Sequence, residues 1–185
     1  RQTIWSLFCQ ALGLTTLFRQ TNFFNPEGIG GWNREGQCQV DIVSGCFLLI
    51  RRKFWERLGG FDQKFFMYGE EADLCLRAAK AGARPMVSSD ATIIHYGGAS
   101  ERVRVDKLLR LFRAKALLVS IHFSKNTHGL GIFLLALFPL SRSLVHALLG
   151  ACGRKKSKEN ARIWYQAWQR RSEWISHPQT DKNEI

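Results

Sequence analysis

Acidic residues are in short supply. The 185-residue chain has 15 Asp and Glu against 27 Lys and Arg, a formal charge of +12. The deficit is uneven: residues 1–98 carry 11 basic and 9 acidic side chains, whereas residues 99–185 carry 16 and 6. The C-terminal excess suits anionic partners, whether nucleic acid, anionic lipid or phosphorylated ligands. Cysteine is sparse too. Cys9, Cys38, Cys46, Cys75 and Cys152 are odd in number and form no CxxC pair. They argue against a disulfide scaffold and read as reduced, buried thiols of a cytoplasmic protein. There is no Asp-x-Asp, no internal repeat and no RNA- or DNA-binding motif. The chain opens on Arg1 rather than Met and shows no signal-peptide pattern, so a fragment is expected. Apolar residues are not lacking: at 45% they exclude a disordered chain and suffice for a real core.

The apolar residues are arranged as follows. Residues 1–18 read as an amphipathic helix, and 19–39, rich in Gly, Asn and Gln, as a long loop. "VDIVSGCFLLI", 40–50, is a β-branched and apolar run expected to form a buried strand. "RRKFWERL" predicts a short helix stopped by Gly59-Gly60, and 70–81 a second helix ended by Gly82. The second helix has Ala72, Cys75, Leu76 and Ala79 at i, i+3, i+4 and i+7, with Asp73, Arg77 and Lys80 opposite. A strand is expected near 91–96, ending at His95. Residues 101–125 predict a basic amphipathic helix. The apolar stretch 130–149 is nearly long enough to span a membrane, but Pro139, Arg142 and His146 favour an interfacial or buried helix. Residues 153–174, rich in Lys, Arg and Trp, predict a last helix.

The stretch "FFMYGEEADLCLR", 65–77, places Glu70, Glu71 and Asp73 at a helix start behind four bulky residues. Acidic residues in a first helical turn are favoured by the helix dipole, and Asp73 with Arg77 is an i, i+4 pair, so a solvated helix start explains most of this pattern. Glu71 fits it less well. It shares a wheel sector with Leu74 and Ala78, at the margin of the apolar face, where a half-shielded carboxylate can act as a general base.

Residues 40–100, about a third of the chain, resemble the C-terminal half of the catalytic domain of family 2 glycosyltransferases, in particular bacterial rhamnosyltransferase-like members. The family's Gly-Glu-Asp-x-Asp-Leu-x-Leu-Arg motif falls on Gly69 to Arg77, with Glu71 where Asp is usual. The resemblance implies an α/β fold, a partial GT-A sheet followed by C-terminal helices. It implies that Glu71 is the base for the acceptor hydroxyl, that His95 helps bind a divalent metal (Mg²⁺ or Mn²⁺), and that Gly97, Gly98 and Ser100 continue as the usual loop. It places Gly45 on the acceptor-side segment, and Glu70 is a further candidate for acceptor binding. The family's metal-binding Asp-x-Asp is missing, so the chain resembles an acceptor-side half without its donor site.

Two parts are thus expected: residues 1–100, the acceptor-side part of a GT-A domain, and residues 101–185, a basic helical extension that associates with membrane. The expected partners are a nucleotide-sugar donor, a glycan or lipid-linked acceptor and an anionic membrane surface, with the protein peripheral on the inner face of the cell membrane. The expected reaction is inverting glycosyl transfer in cell-surface polysaccharide biosynthesis. Trp32 is a candidate for stacking on a sugar, or equally a loop anchor. The competing readings are an inactive truncated remnant and a basic membrane- or nucleic-acid-binding module. Nucleic acid is disfavoured because Trp164, Trp168 and Trp174 are spaced for helix packing.

Overall fold

The computed structural model describes residues 1–96 and 104–176. They are mostly helical and contain a single two-stranded sheet. The packing divides the chain into two compact units, and not at residue 100. Residues 2–31 belong with 101–178, and residues 32–100 make up most of the other unit. The reason is apolar: Leu7 and Ala11 of the first helix sit in one core with side chains from the C-terminal helices.

In the helical unit, α1 (Ile4–Ala11) starts from a capping box. Thr3 accepts from the Ser6 amide, and Ser6 Oγ accepts from the Thr3 amide. One helix over 1–18 is not what forms. Gly13, at φ +78°, breaks it, and α2 is only Leu14–Leu17. The rest is α5 (Arg104–His122), α6 (Lys125–Ala151), α7 (Lys155–Gln169) and α8 (Arg171–Ile175), numbered after α3 and α4 of the other unit. The expected tail helix is therefore two, divided at Arg170. Phe112, Ala116 and Val119 of α5 pack with Leu134 and Leu135 of α6, Ala167 of α7 and Trp174 of α8. Trp174 is fully buried, stacks on Phe112 at 5.0 Å, and donates its indole N–H to the Ala167 carbonyl. Two glycines let helices approach closely. A Cβ on Gly131 would lie 3.0 Å from Val119, and one on Gly150 would lie 2.8 Å from Lys158. α6 runs through Pro139, losing the bond that its missing N–H would have made to the Leu135 carbonyl. Packing of the surrounding residues sustains the helix there.

The other unit holds α3 (Arg52–Leu58), α4 (Glu70–Lys80), β1 (Gln37–Gln39) and β2 (Met86–Ser88). The strands pair antiparallel, Cys38 opposite Val87. Neither expected strand forms. Residues 41–51 are irregular, and Leu49 is 95% exposed. Residues 91–96 are also irregular and exposed. A strand needs a neighbour for its backbone groups, and among the described residues no further strand is present to supply one. Beyond Ser88, side chains close a turn instead: Ser88 Oγ donates to Asp90 at 2.9 Å and accepts from the Asp90 amide. The cysteines are all free, but only Cys9 and Cys75 are buried. Cys46 and Cys152 are exposed, contrary to the expectation of five buried thiols.

Candidate functional site

The site is built on the start of α4. Tyr68 (φ +71°) and Gly69 (φ +85°) are both left-handed, a conformation that costs a non-glycine residue about 1 kcal/mol or more. This pair turns the chain sharply and delivers Glu70 and Glu71 directly onto the helix N-terminus. The buried face of α4 is Ala72, Asp73, Leu74, Cys75 and Ala78. It is rotated from the expected one: Ala79 is exposed and Asp73 is buried. Glu71 thus heads the line of Leu74, Cys75 and Ala78 instead of lying at its margin.

The two neighbouring acids have opposite environments. Asp73 is 1% exposed and accepts from Arg77 Nε at 2.7 Å. The same guanidinium donates to the Leu58 carbonyl at 2.6 Å and the Gly60 carbonyl at 2.7 Å, where α3 has ended. This buried clamp joins α3 to α4 and corrects the expectation of a solvated helical pair. Sequence reasoning missed it. The signal was an acid one position from an apolar face with an arginine one turn on.

Glu71 has no such partner. It is half-buried, and its Oε2 is buried without a hydrogen bond. Burial pushes its carboxyl above the usual carboxylate range. The helix-start amides of Glu71, Gly69 and Ala72 pull it down, and the Glu70 carboxylate pushes it up. Glu70 Oε2 is likewise buried and unpaired. Gly45 packs directly on Glu71: a Cβ at position 45 would meet Glu71 Cβ at 3.4 Å and Cδ at 3.6 Å. The structure therefore brings Gly45, Glu70 and Glu71 together. Cys75, one turn below, has its thiol pushed up by burial and by the Glu71 charge, against a hydrogen bond from the Val43 backbone that lowers it. Beside this cluster runs an apolar groove of about 690 Å³, lined by Ser44, Phe47, Leu49, Cys75, Met86 and Ile93 among others.

Trp32 and His95 are not brought into the cluster. Trp32 donates to the Glu35 carbonyl at 3.2 Å, and the Arg34 guanidinium lies 4.9 Å over its ring, so it anchors its own turn. His95 is exposed on the irregular segment after β2. Among the described residues no three His, Cys, Asp or Glu side chains converge as metal ligands. These residues do not by themselves fit a divalent metal. Gly97, Gly98 and Ser100 lie outside the described residues.

Part of the chain is similar to known transferases. It is 41% identical over 71 residues to rhamnosyltransferase WbbL of Escherichia coli K12, a match covering 38% of this chain and 27% of the relative. It is 35% identical over 82 residues to N-acetylglucosaminyl-diphospho-decaprenol L-rhamnosyltransferase of Mycobacterium tuberculosis, covering 44% and 24%. It is 35% identical over 77 residues to the O-antigen biosynthesis protein RfbC of Myxococcus xanthus, covering 42% and 6%. These relatives support a glycosyltransferase family. The chain spans about a quarter of the length of the first two. No family profile and no solved structure matches it.

Proposed function

We propose that residues 40–96 supply the acceptor side of a glycosyltransferase of GT-A fold. The complete polypeptide transfers a sugar, with inversion, from a nucleotide-sugar donor to a glycan or lipid-linked acceptor in cell-surface polysaccharide biosynthesis. The rhamnosyltransferase names of the relatives support the class. The observation that carries the reading is Glu71: a half-buried carboxylate whose Oε2 lacks a partner, held at a helix start and flanked by a glycine.

In inverting transfer the acceptor oxygen attacks the anomeric carbon as the bond to the diphosphate breaks. The hydroxyl proton passes to a base, and no covalent enzyme intermediate is needed. The half-buried Glu71 carboxylate takes that proton. Burial raises its proton affinity, while the helix-start amides keep the charged form accessible. Gly45, without a side chain, leaves room beside it, and Glu70 binds at the acceptor edge. The resemblance offers His95 as a ligand of a divalent metal, but the described residues do not by themselves fit one, so no step of the transfer is drawn through it.

The test is turnover in the complete polypeptide. Glu71→Gln keeps shape and removes basicity, and is expected to lower turnover about 10²–10⁴-fold with donor binding retained. Near-normal turnover in Glu71→Gln beside a dead Glu70→Gln would move the assignment by one residue. For the 185-residue chain alone, titration with nucleoside diphosphate and Mn²⁺ is expected to show little heat. Micromolar metal-dependent binding would place a donor site within it.

A further inference from the structure

In the helical unit, α6 has one face built into the protein and one left bare. Gly131, Leu134, Leu135, Pro139, Ser143 and Gly150 face inward. On the opposite side Leu130, Phe133, Leu144 and Leu148 are 48–70% exposed. Half-buried Leu140 lies between these two exposed ends at helical spacing, while Leu137 packs on the core, so the stripe is widest at its ends. From Leu130 to Leu148 the stripe is about 27 Å long at 1.5 Å per residue. Isolated exposed leucines are ordinary, but two exposed apolar groups on one side of the same helix are not.

Charge identifies what covers it. Residues 2–31 and 101–178 carry 16 basic and 5 acidic side chains, so nearly all of the chain's +12 belongs to this unit. Basic groups bracket α6. Lys125 is exposed at its start, and Arg154, Lys155 and Lys156 are exposed just past its end. An apolar stripe with cations at both ends complements the interface of an anionic bilayer, with leucines at acyl depth and ammonium groups among phosphates.

By length and hydropathy α6 could also cross a membrane. Its contacts argue for lying flat. It packs on α7, which carries Lys158, Glu159 and Arg162, and mid-helix Arg142 donates to Thr16 Oγ1 at 3.0 Å. Crossing would carry these charged and polar groups into hydrocarbon.

We propose that the Leu130–Leu148 face of α6 docks flat on an anionic membrane surface, held by Lys125 at its start and the Arg154–Lys156 cluster past its end. The inference is independent of the transfer chemistry, since vesicle binding needs no donor or acceptor. The experiment is co-sedimentation of the full chain with phosphatidylcholine vesicles containing or lacking phosphatidylglycerol. Binding is expected only to the anionic vesicles and is expected to fall as salt rises. Lys155→Ala/Lys156→Ala should weaken it about fivefold per side chain at low salt. Phe133→Glu/Leu144→Glu, both already exposed, should weaken it at least about tenfold while leaving the thermal melt unchanged. Three results would overturn the proposal: equal binding to neutral vesicles, resistance of the bound chain to alkaline carbonate (a spanning helix), or no vesicle binding with a dimer that the Phe133→Glu/Leu144→Glu variant dissociates.

Discussion

The two units are held together by different physics. The helical unit is closed by an apolar core with Trp174 at its centre, and its charge is overwhelmingly positive. Residues 32–100 are nearly neutral, with 9 basic and 8 acidic side chains. They are tied by a buried ionic clamp and a three-residue ladder, and they leave large apolar side chains such as Leu49 and Ile94 in solvent. A helix satisfies its backbone from within, so a run of helices can complete its own core. A sheet borrows from its neighbours, and the site-bearing unit has only one pair of strands among the described residues.

That contrast can be broken at its strongest points first. Trp174→Ala is expected to destabilise the helical unit by about 3–5 kcal/mol, because it empties a fully buried aromatic site and orphans the Ala167 carbonyl. Urea denaturation followed by far-ultraviolet circular dichroism measures it. Arg77→Ala is expected to cost about 3 kcal/mol, since it removes the ion pair of the buried Asp73 carboxylate and the donor of two carbonyls. Hydrogen exchange at the α4 amides reads it, and added salt should change it little. Were the loss only a few tenths of a kcal/mol, the clamp would be no more than a surface pair.

Glu71→Gln should act in the other direction on stability. The folded-state affinity of Glu71 for its proton is raised, so between the ordinary carboxylate range and the raised value the folded chain binds more protons than the unfolded one. Stability is therefore lost as pH climbs through that window. Glu71→Gln removes the loss and should be slightly more stable than the parent at neutral pH, with the advantage vanishing in acid. Equal stability at every pH would show Glu71 to be fully solvated. The smallest effect is expected at Arg52–Glu56, an exposed i, i+4 pair. Arg52→Ala should change stability by about 0.3–0.5 kcal/mol at most.

Much of the helical unit was legible in the sequence, because capping residues, periodicity and glycine stops act within a few residues. In the other unit too, Gly59 ends α3 and α4 starts at Glu70 as that reading expects. The strands were not legible. "VDIVSGCFLLI" has the composition of a buried strand, but ladder partners are distant in sequence, and here the segment passes over α4 and lines a groove. At the site, Glu71 and Gly45 come together. The spacing of Asp73 and Arg77 at the edge of an apolar face hinted at the clamp, but its completion depends on where the Leu58 and Gly60 carbonyls point, which the local pattern does not encode. The grouping of residues 2–31 with the C-terminal helices was hidden for the same reason.

The left-handed Tyr68–Gly69 turn makes handedness itself an experimental handle. Glycine is achiral, so residue 69 can be replaced by either mirror form of alanine in a chain assembled by peptide ligation. The D form prefers the positive φ that this turn requires and has fewer alternatives in the unfolded chain, so it should keep Glu70 and Glu71 in place and add rigidity. The L form has to leave that region, which shifts the start of α4, or stay there and lose about 1–2 kcal/mol of stability. The position of the carboxylates is thus a property of one main-chain torsion, and it can be tested by inverting a single stereocentre without altering any charge or hydrogen-bonding group.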